Sequence, residues 1–236
     1  MRIVVLSGSG ISAESGLSTF RGGNGLWDDV PVEEVCSARA WRCQPDKVQE
    51  FFNVRREQLK DVEPNAAHLM LAELEKDYVV NVITQNVDDL HERAGSTDVL
   101  HLHGELTKVR PEDCCCEADG FSTEYVQDIG YRRVENYETG GPRSSRLRPH
   151  IVFFGEAVPN LEKAAETVSK ADVLLIVGTS LQVYPAASLY RFAPSGCRIF
   201  VIDPDPVAAS SIRGVHIIKD KATTGMSRFR DMLKAF

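Results

Sequence analysis

Short runs of apolar residues recur along the chain, separated by amphipathic stretches. The runs are "IVVL" (3–6), "VVNVI" (79–83), "HIVFF" (150–154), "VLLIV" (173–177), "RIFVI" (198–202) and "VHII" (215–218). Most are rich in Val and Ile and too short for helices, so they read as buried strands. Between them, 64–77, 160–172 and 184–193 carry apolar residues at helical spacing, and the first has Pro64 where a first helical turn accepts proline. Strands that are apolar nearly throughout and alternate with helices indicate a parallel sheet covered on both faces, a doubly wound α/β domain. Two stretches break the alternation. Residues 29–62 look helical without a strand, and 109–149 lack strong periodicity. A structureless loop of that length is uncommon inside a compact domain. The expected division is therefore a sheet domain of 1–28, 63–108 and 150–236, with 29–62 and 109–149 forming a small inserted helical and irregular module.

Composition narrows the classes. The chain has 236 residues, 43% hydrophobic and 26% charged, with a net charge of −7. That is ordinary for a globular protein and disfavours a nucleic-acid partner. No apolar run approaches the roughly 18 residues needed to cross a bilayer. The N-terminal "MRIVVLSGSG" has too short an apolar core for a secretory signal. Six Cys without regular spacing describe no disulfide framework. A reduced, cytoplasmic, monomeric protein without a membrane partner is expected.

In a parallel sheet, ligands bind beyond the carboxyl ends of the strands. After "IVVL" comes "SGSGISAES", in which Gly8, Gly10 and Ala13 fit the loose glycine pattern that brings backbone N–H groups to a pyrophosphate. The acidic second strand of a hydride-transfer unit does not follow; "GLSTFRGGNGLWDD" stands there instead. After "VVNVI" come Gln85, Asn86 and Asp88, two amides and a carboxylate suited to ribose hydroxyls and a carboxamide. Helix capping by Asn86 would account for one of the three. Gly178, Thr179 and Ser180 are small enough for close ligand approach or for a tight turn. Asp203 could accept from a ribose hydroxyl or begin the turn "DPDP". In "VLHLHGE", strand alternation puts His101 and His103 on one face, with His103 ending its strand beside Gly104 as a candidate general base. His68 and His91 read as structural.

Together, "SGSGISAESGLSTFRG", "TQNVDDLHERAG", "HLHGEL", "LRPHIVFFGE" and "GTSLQVYPA" resemble the sirtuins, NAD-dependent protein lysine deacylases with a Rossmann-like domain. The five motifs fall in family order over nearly the whole chain, which looks most like a bacterial member. The resemblance implies NAD as co-substrate, with phosphates at Gly8, Ser9 and Gly10 and at Gly178, Thr179 and Ser180. It implies a nicotinamide ribose facing Gln85, Asn86 and His103, and Asp88 on the carboxamide. Glu14, Trp27, Asp203 and Ala222 belong to the same cofactor site, and Thr19, Phe20 and Arg21 to its loop. The acyl oxygen of an acylated lysine would attack C1′ as nicotinamide leaves. His103 would then be base for the ribose hydroxyl that attacks the acyl carbon, giving lysine, nicotinamide and O-acyl-ADP-ribose. The peptide substrate would add as a strand between Phe154, Gly155, Glu156 and Val158 on one side and Val183 on the other. ADP-ribosyl transfer, NAD hydrolysis and non-catalytic NAD binding are the competing readings. The presence of Asn86 and His103 favours deacylation.

Two departures matter. Most sirtuins hold a structural zinc with two Cys-x-x-Cys pairs, which here align with Pro111 and Cys114 and with the neighbourhood of Gly140 and Arg143. One of four ligands survives, and His150 as a recruit belongs to a strand start, so a zinc-free variant is expected. Tyr125, Ile129 and Tyr131 are candidates to replace the metal by packing, and Cys114, Cys115 and Cys116 are then a loop feature. The second departure lies in "PDKVQEFFNVRREQL", where a helix puts Val48, Phe52, Arg55 and Leu59 on one face and leaves Arg56 to solvent. The subgroup that removes succinyl groups carries Tyr-x-x-Arg where this chain has Phe52-x-x-Arg55. Arg55 would pair with an acyl carboxylate, or simply bind a backbone carbonyl.

Overall fold

In the computed structural model, which describes residues 1–19, 31–115 and 125–234, six strands form one parallel sheet. They are β1 (Arg2–Ser7), β2 (Val79–Thr84), β3 (Val99–His101), β8 (Val173–Val177), β9 (Arg198–Ile202) and β10 (His216–Ile218), in the order β10-β9-β8-β1-β2-β3. Alternate residues feed two separate cores, which is why the strands are apolar nearly throughout. Ile3, Val5, Val82, Val173, Leu175 and Phe200 pack under α4 (Ala66–Leu74) and α7 (Ala222–Leu233). Val4, Leu6, Ile83, Leu174, Ile176 and Val201 pack under α6 (Leu161–Val168) and the 3-10 segment Ala186–Phe192. The helix expected at 184–193 is thus a 3-10 helix. Pro64 does not open α4 either. Asn65 caps it, its side chain accepting from Ala67 N–H at 2.9 Å while His68 reaches back to the cap.

The chain order reverses between β1 and β8, so the loops after these two strands flank the crevice where open α/β sheets bind ligands.

A second sheet is antiparallel and ordered β5-β4-β7-β6, from β4 (Gly104–Pro111), β5 (Gln127–Asp128), β6 (Thr139–Gly140) and β7 (Ser145–Ile151). This corrects two expectations. "HIVFF" supplies the end of antiparallel β7 rather than a strand of the parallel sheet. The described part of 109–149 mixes turns, irregular chain and a 3-10 turn (Glu112–Cys115) with the two-residue β5 and β6 and the ends of β4 and β7, and these strand pairings are what the sequence pattern did not show. Both β4 and β7 run through the boundaries expected at 108/109 and 149/150. Helices α1 (Val32–Val35), α2 (Ala38–Cys43) and α3 (Pro45–Gln58) cover this sheet, with α5 (Leu90–Arg93) following β2. Val35, Trp41, Val48, Phe52, Leu106, Ile151 and Phe153 form their common core.

Helix α3 is buried on more than one face, and the expectation of a solvated Arg56 fails there. Arg56 is fully buried, donating from Nε to Leu106 O at 2.7 Å and from Nη1 to Asn53 Oδ1 at 2.8 Å. Asn53 in turn bonds both the N–H and the C=O of Val134 at 2.9 Å, standing in for a strand partner. Helical spacing located one buried face, but the fold wraps α3 between two layers, and on the other face Asn53 and Arg56 serve the backbone groups of Val134 and Leu106.

Candidate functional site

The glycines after β1 are explained by the loop after β8. Gly8 N–H donates to Val177 O at 3.1 Å and Gly10 N–H to Gly178 O at 2.9 Å. A Cβ on Gly10 would lie 2.8 Å from Gly178 Cα, and one on Gly178, whose φ is +63°, would lie 2.2 Å from Ile11 N. These N–H groups are therefore spent on the neighbouring loop, and the glycines are required for backbone-to-backbone contact. Two 3-10 turns, Ser9–Ile11 and Ala13–Ser15, follow in place of a regular helix.

A buried hydroxyl joins this loop to the one after β2. Ser12 Oγ donates to Asp88 Oδ2 at 3.0 Å and accepts from Asn86 Nδ2 at 3.1 Å. His68 Nδ1 accepts from Asn65 N–H, so its Nε2 carries the proton that faces Ser12 Oγ, both at 3.4 Å. Asp88 Oδ1 also accepts from Leu90 N–H. Burial nevertheless pushes the Asp88 carboxyl up to about 6, against those bonds. Asn86 N–H donates to Thr84 Oγ1, and Gln85 Nε2 donates across to Thr179 Oγ1 at 3.1 Å, tying the β2 loop to the β8 loop. Below lie His68 and His91, edge to face at 5.0 Å. Both are held neutral by burial, His68 at about 4 and His91 well below the ordinary value.

His101 and His103 are not equivalent. β3 ends at His101, so the expected common face is lost. His103 is half-buried and donates from Nδ1 to Gln85 O at 3.0 Å, which leaves Nε2 with its lone pair. Burial lowers its pKa, more than the Gln85 carbonyl raises it. His101 is buried and donates from Nδ1 to Asn86 O at 2.9 Å, so successive carbonyls of the β2 loop are held by alternate histidines.

The remaining expected residues scatter. Glu14 accepts from Thr223 N–H and Oγ1 at 3.0 and 2.9 Å, which caps α7 beside Ala222. Ser9 and Thr19 are half-buried and Ser180 is exposed. Asp203 Oδ1 accepts from Asp205 N–H at 2.7 Å, the turn bond weighed against ribose binding, and burial raises its carboxyl. Phe20, Arg21 and Trp27 lie outside the described residues. Phe154 is exposed, but its backbone pairs with Cys36 O and Ala38 N–H. Gly155 is exposed at φ +91°. Glu156 is clamped by Arg148 at 2.7 and 3.1 Å and by Phe153 N–H at 2.8 Å. Val158 and Val183 are half-buried, and their carbonyls accept from Leu161 and Ala187 N–H. Phe52 is buried, stacked on Phe153 at 5.7 Å. Arg55 is half-buried and donates from Nη1 to Phe51 O at 2.9 Å, the backbone contact set against acyl recognition.

The positions aligned with zinc ligands gather at one end of the second sheet. Pro111 pairs with Leu147 and Gly140 with Ser145. A Cβ on Gly140 would lie 2.8 Å from Leu147 Cδ2. Asp113 accepts from Ser145 Oγ and lies 4.0 Å from Arg143 Nε. Among the described residues, no group of three or more His, Cys, Asp and Glu is placed to hold a metal. Leu147, Val134, Val109 and Ile129 pack together nearby, and Tyr131 packs on the α2–α3 core while donating to Asp89 Oδ2. Cys116 lies outside the described residues.

Ser12, Thr84 and Glu92 were missed by sequence reasoning. Ser12 carried a signal, a hydroxyl two residues past Gly10; Glu92 sits in a helical turn like any surface acid.

Comparison with known proteins gives a consistent result. The Sir2 family profile matches residues 8–185. A protein of Bacteroides thetaiotaomicron named NAD-dependent protein deacylase is 47% identical over 98% of this chain and 97% of its own length. A Helicobacter pylori protein of the same name is 50% identical over 95% and 93%. A solved Sir2 homologue–NAD complex superposes with a TM-score of 0.85 at 38% identity, covering 99% of this chain and 90% of that one.

Proposed function

This chain belongs to the Sir2 family, and we infer from that membership and from its site that it is an NAD-dependent protein lysine deacylase. The observation that carries the reading is His103, whose Nδ1 is committed to Gln85 O and whose neutral Nε2 stands at the carboxyl edge of the sheet. NAD, when bound, supplies the ribose carbon that takes the acyl oxygen as nicotinamide leaves. The donor set suits it: Gln85, Asn86, Asp88 and Thr179 converge from the β2 and β8 loops. In this reading Asn86 and Asp88, fixed by Ser12, orient the nicotinamide ribose and carboxamide. His103 Nε2 removes the proton of a ribose hydroxyl. Gly8, Ser9, Gly10, Gly178 and Ser180 line the phosphates, and the acylated peptide lies along Gly155 and Val183. The experiment is mass spectrometry of acetyl- and succinyl-lysine peptides incubated with and without NAD. NAD-dependent lysine release with O-acyl-ADP-ribose is expected; NAD consumption without lysine release would replace the reading with ADP-ribosyl transfer or hydrolysis.

Acidic acyl groups are proposed as additional substrates. Burial lowers the Arg55 guanidinium to about 10, which leaves it cationic at neutral pH, beside Phe52 in α3. Replacing Arg55 with Ala is expected to reduce kcat/KM on succinyl-lysine about 10- to 100-fold, while acetyl-lysine turnover changes little. Equal losses on both acyl groups would exclude carboxylate recognition by Arg55.

The second sheet is proposed to be stable without zinc, on the support of the Leu147–Val134–Val109 packing and the Asp113 contacts. Structural zinc contributes on the order of 10 kcal/mol, so a chelator would be conspicuous if metal were present. EDTA is expected to leave Tm unchanged in differential scanning calorimetry. A cytoplasmic location is proposed from the free thiols of Cys36, Cys43 and Cys197.

A further inference from the structure

The contacts of His101 determine its charge. Nδ1 faces Asn86 O and Nε2 faces Glu92 Oε1, each at 2.9 Å. A backbone carbonyl only accepts, and so does a carboxylate, so a ring that serves both is an imidazolium with two N–H donors. His101 is buried and its side chain is 7% exposed, whereas that of Glu92 is 41% exposed at the start of solvent. The backbone is held too, with Asn160 Nδ2 donating to His101 O at 2.8 Å.

We propose that His101, as an imidazolium paired with Glu92, is a positioning residue that fixes the Asn86 main chain and so aims the Asn86 amide at the reacting ribose. This rests on the deacylase reading above. Asn86 is otherwise held by Thr84 Oγ1 at its N–H and by Ser12 Oγ at its side chain. The His101 contact is the third restraint, and it acts at the carbonyl between these two. A neutral ring could keep one of its two bonds and would lose the other.

The charges around the ring agree. Burial lowers the His101 pKa, but the bond and charge of Glu92, with Glu105 of β4, more than compensate, and the net shift is upward. Glu92 is raised by burial and lowered by more through His101, with Lys108 adding to the lowering. Asp88 also faces His101, as do His91 and His150, both kept neutral by burial, His150 at about 3. The sign follows. His101 is charged below its raised pKa, and as pH rises through that value the ring gives up one of its two bonds, which loosens the hold on Asn86. His103 works in the opposite sense, gaining its lone pair as pH rises through a value below 6.5. The kcat/KM profile is therefore a bell, with His103 on the acid limb and His101 on the alkaline limb.

The test is the pH profile of deacylation by the full chain and by Glu92→Gln, whose half-exposed side chain keeps a hydrogen-bond acceptor. Removing the carboxylate charge should move the alkaline limb to lower pH by about 1 unit and leave the acid limb in place. A second variant, His101→Gln, should lose the alkaline limb and turn over about tenfold more slowly across the range. NMR of the histidine-labelled protein reads the ring directly, with both His101 nitrogens protonated at neutral pH as the expected result. A neutral His101 ring, or a Glu92→Gln profile lowered uniformly with both limbs unmoved, would overturn the assignment while leaving the deacylase reading intact. Absence of any deacylation by the unsubstituted chain would overturn both.

Discussion

Replacing His103 with Ala is expected to lower kcat/KM for deacylation about 10²- to 10⁴-fold, the usual contribution of a positioned general base. Stability should be little changed, because the ring is half-buried and its one bond, to Gln85 O, is replaceable by water. The pH dependence identifies the group. Burial holds the imidazole below 6.5, so the base is neutral and competent throughout the neutral range, and the acid limb of the activity profile should fall as pH drops through that lowered value. A substitution that abolished NAD binding along with turnover, read by calorimetry, would assign His103 to binding instead.

The second large effect is expected at Gly178. An alanine there would be forced to keep a φ of +63°, which costs about 1–2 kcal/mol. Its Cβ would also meet Ile11 N at 2.2 Å and Gly10 C at 2.6 Å, and these are backbone atoms that no rotamer change can move. Separating the two loops breaks the Gly10–Gly178 hydrogen bond and adds a further few kcal/mol of overpacking. Gly178→Ala should therefore lower Tm by about 10 °C and weaken NAD binding at least tenfold. Gly16→Ala is the internal control. It has a φ of +98° but nothing within 4 Å of its Cβ, so it carries the backbone strain alone. Equal loss of Tm in the two variants would mean that the loop-to-loop contact contributes nothing.

Both predictions concern residues whose importance was legible in sequence, for reasons that were partly different from the structural ones. Gly8 and Gly10 were expected to present N–H groups to a pyrophosphate, whereas those N–H groups bond the β8 loop, a partner about 170 residues away in the chain. His101 and His103 were expected on one face. The strand ends at His101, and the two rings fall on successive carbonyls of another loop. Glu14 was grouped with the cofactor residues but caps a helix near the other terminus. In each case the residue type suited the place, and the partner was remote.

Local patterning by itself determined the parallel sheet, its flanking helices and the clustering of chemistry after the strands. Strand periodicity and burial are set by neighbours in sequence, and the ends of strands in such a sheet form one edge. Tertiary structure alone decided the antiparallel second sheet, where the two-residue β5 and β6 exist only as cross-strand partners of β4 and β7. It also decided the burial of Arg56 between two layers and the charge on His101. A side chain's ionisation and hydrogen-bond role depend on which acceptors the fold brings within 3 Å, and no spacing along the chain encodes that distance.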